Sequence, residues 1–428
     1  MNTLNYNKII ELMHEKLEVA TGCTEPIAIA YAAATARKHI EGDIEKIDVY
    51  LSGNMIKNAM VVGIPGTNKT GIDFVAALGA YFGDAGKKLE VISGLSNEQF
   101  EYAEKQVKAG VVSVNLSDKP EKLYIDVCIK TDKGSARAVI AGAHTNIVLI
   151  MENDDIVYSK EYHSSLQDQN NSDSGITLDD IFDFAINCDI KDLESIETAI
   201  NLNSSISKEG LSHRYGLNVG KDIYDKIQSG TMADDMTNYI IARTSAGSDA
   251  RMAGADMPVM ANSGSGNQGI AATMPAVAAA EYLGATHEKT IRAAALSNLV
   301  AIYIKLKFGV LSAFCGAVVS AAGSAAAITY LMGGKIEQIK KAIQNTLGNV
   351  AGVICDGAKS DCALKIAACT NAATLGAQLA MADKCISGRE GFVENNVEYT
   401  INNFSILGNT GTFELDKLLL NMILNKKN

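Results

Sequence analysis

The chain has 428 residues, enough for two or three domains with a large core, and a formal net charge of -11. Such an acidic chain is a poor match for nucleic acid or an anionic membrane, because both attract a basic surface. The first residues contain no basic segment followed by an apolar one, so we expect no signal peptide and a cytoplasmic protein. In that compartment, disulfides are not the expected use of the eight cysteines.

Residues 1–40 are predicted to form two helices joined by a turn that carries Cys23, packed on the C-terminal part of the chain. Residues 41–160 differ, because apolar and polar residues alternate there as in strands. One helix, Ser96–Ala109, lies among these strands, with Ser96 as its N-cap. The predicted strands are Ile47–Leu51, Leu123–Ile129, Ser135–Ile140 and Thr145–Met151.

The rest of the chain is predicted to be mostly helical. Residues 161–175 are polar and rich in turn formers, which is typical of a linker. The predicted fold class is α+β: a small α/β domain with a mixed sheet, and a larger, mostly α-helical domain over residues 176–428. The predicted helices are Asp179–Asn187, Leu193–Leu202, Ile223–Ser229, Met232–Ala246, Ile270–Leu283, His287–Lys307, Ala317–Leu331, Ile336–Leu347 and Cys362–Ala382.

One uncharged segment, Phe308–Gly334, is long enough to span a bilayer. Ala, Gly, Ser and Val dominate it, so its hydropathy is weak for its length. This composition favours a buried helix in a globular core over a membrane span.

Cys315, Cys355 and Cys362 lie in surroundings rich in Gly and Ala. Cys355, Cys362 and Cys369 are each seven residues apart, and on one straight helix that spacing separates side chains by about 10.5 Å along the axis. Cys355 and Cys362 can therefore bind one compact cluster only if the chain between them is not helical. Residues 356–361 have the composition of a loop, whereas Cys362–Cys369 has that of a continuous helix.

Three thiolates in this setting suit an iron–sulfur cluster, in which they leave one iron open as a Lewis acid. A zinc site is the competing interpretation, but it prefers four ligands and closely paired cysteines, and the sequence has no Cys-x-x-Cys pair. The remaining cysteines outside the N-terminal turn are interpreted as small buried apolar residues: Cys128, Cys188, Cys369 and Cys385.

A family resemblance is carried by four segments: Thr21–Pro26, Ser263–Gly269, Cys315–Ala327 and Gly352–Asp356. Together they resemble the iron–sulfur L-cysteine desulfidases and, more distantly, the α part of bacterial iron–sulfur L-serine dehydratases. The Cys–Cys spacings of 40 and 7 fit the desulfidase branch. The serine dehydratases space the last two ligands more widely, which disfavours L-serine as the main substrate.

The resemblance implies a [4Fe-4S] cluster held by Cys315, Cys355 and Cys362, with Cys23 as a catalytic thiol. The implied activity is a carbon–sulfur lyase that converts L-cysteine into pyruvate, ammonia and hydrogen sulfide; L-serine dehydration is the alternative. Cys23 would act as the base on Cα if the start of the following helix favours its thiolate. The alternative for Cys23 is a buried packing residue.

Two loops supply candidate substrate contacts. Ser263–Gly269 precedes a helix whose exposed N–H groups can bind a carboxylate, so we expect Ser265, Asn267 and Gln268 to contact the carboxylate or amino group. The alternative is a tight turn that only requires glycine. The second loop ends a predicted strand and offers Asn54, Lys57 and Asn58, for which ordinary turn residues are an equal alternative.

Other polar residues carry less information. The six histidines are scattered without metal-binding spacing, and Asp234, Asp235, Asp249 and Arg251 are interpreted as caps and salt bridges. Two other classes stay open: an iron–sulfur sensor without turnover, and a membrane protein built on the uncharged segment. The expected partner is the small molecule L-cysteine, with no nucleic acid and no membrane, and a homo-oligomer is compatible with the sequence.

Overall fold

The computed structural model describes residues 3–67, 69–161, 175–308 and 312–426. Its strands are β1 (Leu17–Thr21), β2 (Ile44–Leu51), β3 (Val112–Leu116), β4 (Tyr124–Thr131), β5 (Gly134–Ala141), β6 (Ile147–Glu152), β7 (Asp155–Ser159) and β8 (Pro258–Asn262). Its α-helices are α1 (Thr3–Lys16), α2 (Thr24–Arg37), α3 (Gly53–Ala59), α4 (Ile72–Phe82), α5 (Asn97–Lys108), α6 (Leu178–Asn187), α7 (Glu194–Ser212), α8 (Val219–Gln228), α9 (Met236–Met252), α10 (Gly266–Leu283), α11 (His287–Phe308), α12 (Gly316–Leu331), α13 (Ile336–Val350), α14 (Cys362–Met381), α15 (Val397–Ile406) and α16 (Phe413–Leu424). The predicted α+β fold class is confirmed.

A six-stranded mixed sheet organises the smaller part of the molecule, in the order β3-β2-β4-β5-β6-β7. β2 and β3 run parallel, and every other neighbouring pair is antiparallel. Along β2, Ile47, Val49 and Leu51 are fully buried while Tyr50 is exposed, the alternation expected of a sheet covered on one face. The helices α2 and α4 supply much of that cover. The four predicted strands are present, and Ser96 caps α5 as expected.

The sequence did not predict β3 and β7 of this sheet, nor β1 and β8, which form a second sheet. β7 is exposed along its whole length, so no buried face gives it an alternating pattern. β1 and β8 are five residues each and form a separate antiparallel pair, with Leu17 opposite Asn262 and Thr21 opposite Pro258. This pair leads the chain from α1 towards Cys23 and connects α9 with α10.

The larger part is a helical assembly whose central element is α12. Nearly every α12 residue is buried, against α10, α11, α13 and α14. Gly323 permits a close approach to α11, because a Cβ atom there would lie 2.2 Å from the carbonyl oxygen of Ser297. The uncharged segment therefore contributes a buried helix, as expected. Within the described residues, no helix has both the length and the apolarity that crossing a membrane requires.

The N-terminal segment is divided between the two hydrophobic cores. Ile9 and Met13 of α1 are buried in the helical core, where Tyr6 packs edge-on against Phe184. α2 instead packs in the core of the sheet. The predicted linker falls on 161–175, of which 162–174 lie outside the described residues.

Candidate active site

A cavity of about 100 Å³ lies where the two parts of the molecule meet. Four cysteines line it: Cys23, Cys315, Cys355 and Cys362. The remaining polar side chains of its wall come from distant parts of the chain: Glu25, Asn58, His144, Arg251, Ser263, Ser265, Asn267, Gln268, Lys305 and Ser312. The thiols singled out by the sequence thus converge on one space.

Cys315 and Cys355 are brought together by the backbone. An isolated antiparallel bridge pairs Phe314 with Ile354. The amide of Cys315 donates to the carbonyl of Val353 at 2.9 Å, and the amide of Cys355 donates to that of Ala313 at 2.6 Å. Cys315 also precedes the first turn of α12, so the buried helix and the bridge together fix its position.

The chain between Cys355 and Cys362 is a loop, as predicted. Asp356 forms ion pairs with Lys359 and Lys365, and although burial alone would raise its pKa, hydrogen bonds from these lysines lower it to about 2. Gly357 has a φ of +106°, and a Cβ atom there would lie 2.2 Å from the carbonyl oxygen of Lys57. The loop is therefore folded tightly against α3.

Cys362 begins α14, and Cys369 lies two turns further along the same helix. The side chain of Cys369 is buried in the helical core and does not line the cavity. This is the packing role that its spacing predicted.

The donor set fits an iron–sulfur cluster. Burial and then the nearby Cys355 and Cys362 raise the pKa of Cys315, and burial raises that of Cys362 to about 11. Three crowded thiolates are therefore costly unless a cation shares their charge. Among the described residues, no three His, Cys, Asp or Glu side chains are grouped to hold a single metal ion. In a cluster each thiolate binds its own iron, so three cysteines around one cavity suit it better than they suit zinc.

Lys305 is a buried cation in the same wall. Burial lowers the pKa of Lys305 to about 8, while the neighbouring Cys355 and Cys315 favour its charged form. It therefore places positive charge beside two of the three thiols.

Cys23 lies directly before α2, as predicted, but its pKa is raised and not lowered. Its thiol is 1% exposed and packs with Val62, Met252 and Cys362. Burial raises the pKa of Cys23 to about 12, and Arg251 acts in the opposite direction. Gly22, with a φ of +75°, makes the turn possible, since a Cβ atom there would lie 2.2 Å from Pro65.

The glycine-rich loop forms the opposite wall. Ser265 is the N-cap of α10, where its hydroxyl accepts from the amide of Gln268 at 3.3 Å. All three residues proposed from this loop, Ser265, Asn267 and Gln268, line the cavity. The hydroxyl of Thr24 donates to the carbonyl of Gly264 at 2.8 Å, which ties the loop to the turn that carries Cys23.

The second proposed loop is in fact a helix, α3, because its apolar residues face the core. Asn58 lines the cavity, whereas Asn54 and Lys57 do not. Lys57 is 2% exposed, and its ammonium donates to the carbonyl of Cys355 at 3.1 Å and to Asp416 at 2.8 Å. Lys57 therefore holds the cysteine loop from behind and is not placed to touch a molecule in the cavity.

Four ionisable residues of the wall were not singled out as site residues: Glu25, His144, Arg251 and Lys305. Glu25 stands in the Cys23 signature, and the other three are isolated in sequence, so no spacing pattern could identify them. Arg251, interpreted as a salt-bridge residue, faces the cavity. Burial lowers the pKa of His144, which keeps the imidazole neutral. Asp235 does cap α9, as expected.

Comparison with known proteins identifies the family of the chain. The family model for the serine dehydratase alpha chain matches residues 86–421, which include three of the four cysteines of the cavity. A UPF0597 protein of Oleidesulfovibrio alaskensis is 41% identical over 422 residues, 99% of each chain. UPF0597 proteins of Photobacterium profundum and Porphyromonas gingivalis are each 39% identical over the full length of both chains. The chain belongs to the serine dehydratase alpha chain family, among relatives named UPF0597 proteins.

Proposed function

We propose that this protein is a lyase that eliminates sulfide from L-cysteine, giving pyruvate, ammonia and hydrogen sulfide. The observation that carries the proposal is the convergence of Cys315, Cys355 and Cys362 on one cavity with a fourth thiol, Cys23, beside them. Membership in a dehydratase family supports an elimination of this type.

Cys315, Cys355 and Cys362 would hold a [4Fe-4S] cluster. When bound, such a cluster would supply a Lewis-acidic iron that withdraws electron density from the leaving sulfur. The chain itself must bind the amino acid, keep bulk water away and move one proton. The glycine-rich loop is the part of the wall that binds the amino acid. The burial of the wall residues keeps bulk water away.

The proton on Cα is assigned to Cys23, the cavity thiol that is not a proposed ligand. Its burial opposes ionisation, and the guanidinium of Arg251 is the nearby group that favours the thiolate. Loss of the Cα proton and of the β-sulfur as sulfide forms a carbon–carbon double bond and leaves aminoacrylate. Aminoacrylate tautomerises to the imine, and water hydrolyses the imine to pyruvate and ammonia.

The test is anaerobic purification with iron and sulfide counts, followed by addition of L-cysteine. We expect about four irons per chain, and pyruvate, ammonia and sulfide in equal amounts. A protein that holds its cluster but releases no sulfide would be a sensor and would contradict the proposal.

L-Serine dehydration is the second candidate, because the matching family model is that of the serine dehydratase alpha chain. The same preparation distinguishes the two when kcat/KM is measured for L-cysteine and L-serine side by side. A larger value for L-serine would replace the sulfide elimination by loss of water from the same Cα–Cβ unit.

A further inference from the structure

Three buried side chains of the cavity wall have a polar atom without a hydrogen-bond partner among the described residues. They are Nε2 of His144, Nε of Arg251 and Oε1 of Gln268. These residues are only 5%, 3% and 2% exposed. Unpaired polar atoms are costly in a protein interior, so such atoms gathered around one cavity indicate a polar ligand.

The free atom of Gln268 is an acceptor, because a chain of amides fixes its orientation. Asn298 donates to Thr273 and to the carbonyl of Ala294, which leaves its oxygen to accept from Nδ2 of Asn262 at 3.0 Å. The oxygen of Asn262 in turn accepts from Nε2 of Gln268 at 2.9 Å. Oε1 of Gln268 is therefore the unpaired atom, and it lies close to another residue of the cavity wall, Gly316, where a Cβ atom would be 2.9 Å from it.

The free atom of Arg251 is a charged donor. Nη2 donates to the carbonyl of Gly22 at 2.8 Å, which anchors the guanidinium. The guanidinium lies flat against Gly266, since a Cβ atom there would lie 2.3 Å from Nε. Arg243, on the same helix, is paired with Glu281, whereas no salt bridge to Arg251 is present within the described part of the chain.

The first turn of α10 strengthens the positive character of this corner. Gly266 and Gln268 belong to that turn, and the N-terminus of an 18-residue helix favours an anion. A buried guanidinium and a helix start therefore meet at the same point. The imidazole of His144 can donate or accept according to its tautomer, so it is left without an assignment.

We propose that Arg251 binds the α-carboxylate of the substrate through Nε–H and that Oε1 of Gln268 accepts a hydrogen bond from its α-ammonium group. This rests on the proposed function and names the residues that recognise the amino-acid head. Gly316 follows Cys315, so the Gln268 contact lies on the cysteine side of the cavity. With the side chain directed to the three cysteines, these contacts give three points of recognition and select the L-enantiomer.

The test measures binding to the anaerobically purified protein by calorimetry, without turnover. L-2-Aminobutyrate has a methyl group in place of the thiol, so it has no leaving group. Propylamine lacks the carboxylate, and butyrate lacks the ammonium group. We expect wild-type protein to bind L-2-aminobutyrate at least about tenfold more tightly than either fragment and than D-2-aminobutyrate.

Arg251→Gln should weaken binding of L-2-aminobutyrate by about 10- to 100-fold and leave propylamine binding within about twofold. Gln268→Met should remove the preference over butyrate while the preference over propylamine persists. Arg243→Gln, a buried arginine outside the cavity, is the matched control and should keep both preferences.

Equal binding of all four ligands to wild-type protein would overturn the proposal without any variant. Full carboxylate preference in Arg251→Gln would also overturn it. If the protein releases sulfide but shows none of these binding preferences, the assignment of Arg251 and Gln268 is wrong while the proposed function still holds. If it shows the preferences but releases no sulfide, the proposed function is wrong while the binding assignment still holds.

Discussion

Two stretches of equal length, Cys355–Cys362 and Cys362–Cys369, fold in opposite ways. The first is a loop closed by the ion pairs of Asp356, and the second is two turns of α14. Both ends of the loop face the cavity, whereas the helix carries Cys369 into the core. A spacing of seven residues therefore does not by itself determine whether two cysteines face the same cavity. The residues between the cysteines, and what holds them from outside, decide whether two thiols meet.

The largest expected effect tests this contrast directly. Cys315→Ala, Cys355→Ala and Cys362→Ala should each lose the cluster, because a cluster with two protein thiolates is poorly held. Cys369→Ala should keep its iron and sulfide content. The measurement is iron, acid-labile sulfide and visible absorbance of anaerobically purified protein. Loss of iron in Cys369→Ala with retention in Cys362→Ala would reverse the assignment.

Cys23 packs with Cys362, a proposed cluster ligand, from outside both stretches. It therefore tests whether a neighbouring thiol also binds the cluster. We expect Cys23→Ser to keep iron, sulfide and spectrum. Turnover of L-cysteine should fall by roughly two to four orders of magnitude, the usual effect of removing a positioned base. Near-normal turnover would remove Cys23 from the mechanism, and loss of iron would make it a ligand.

Lys57 holds the loop from outside through the carbonyl of Cys355. Lys57→Met should cost about 3–5 kcal/mol of unfolding free energy, because it leaves the largely buried Asp416 unpaired. Lys417→Met, which removes an exposed pair with Glu414, should cost less than about 1 kcal/mol. Urea unfolding of both variants measures the loss of unfolding free energy. Equal losses would show that Lys57 does not stabilise the loop.

The smallest effect concerns the backbone of the loop. Gly357→Ala should destabilise the protein by more than about 1 kcal/mol, because the residue has a positive φ and faces the carbonyl of Lys57. Gly352→Ala is the matched control, since a Cβ atom there meets nothing within 4 Å. Thermal unfolding of the two variants measures the difference. Equal melting temperatures would mean that the loop tolerates a different backbone path.

The local parts of this architecture could be predicted from the sequence. The loop after Cys355, the helix after Cys362 and the cap at Ser96 depend on neighbouring residues alone. α3 was mistaken for a loop, because Ser52-Gly53-Asn54 has turn composition while its burial comes from α16 and the sheet.

The cavity wall was only partly predictable. Its cysteines and the glycine-rich loop have recognisable sequence surroundings. Arg251 and His144 come from parts of the chain that meet only in the folded protein. The ligand-binding role proposed for Arg251 rests on the absence of a carboxylate partner among the described residues. Sequence position does not contain that information.

The contact between Lys57 and Asp416 joins residues 359 positions apart. During synthesis, the sheet and most of the helical part are made before α16 exists, so the carbonyl of Cys355 gains its full support only near the end of folding. Until α16 is made, the ammonium of Lys57 has no Asp416 carboxylate to pair with. The loop after Cys355 is therefore among the last parts of the cavity wall to be fixed.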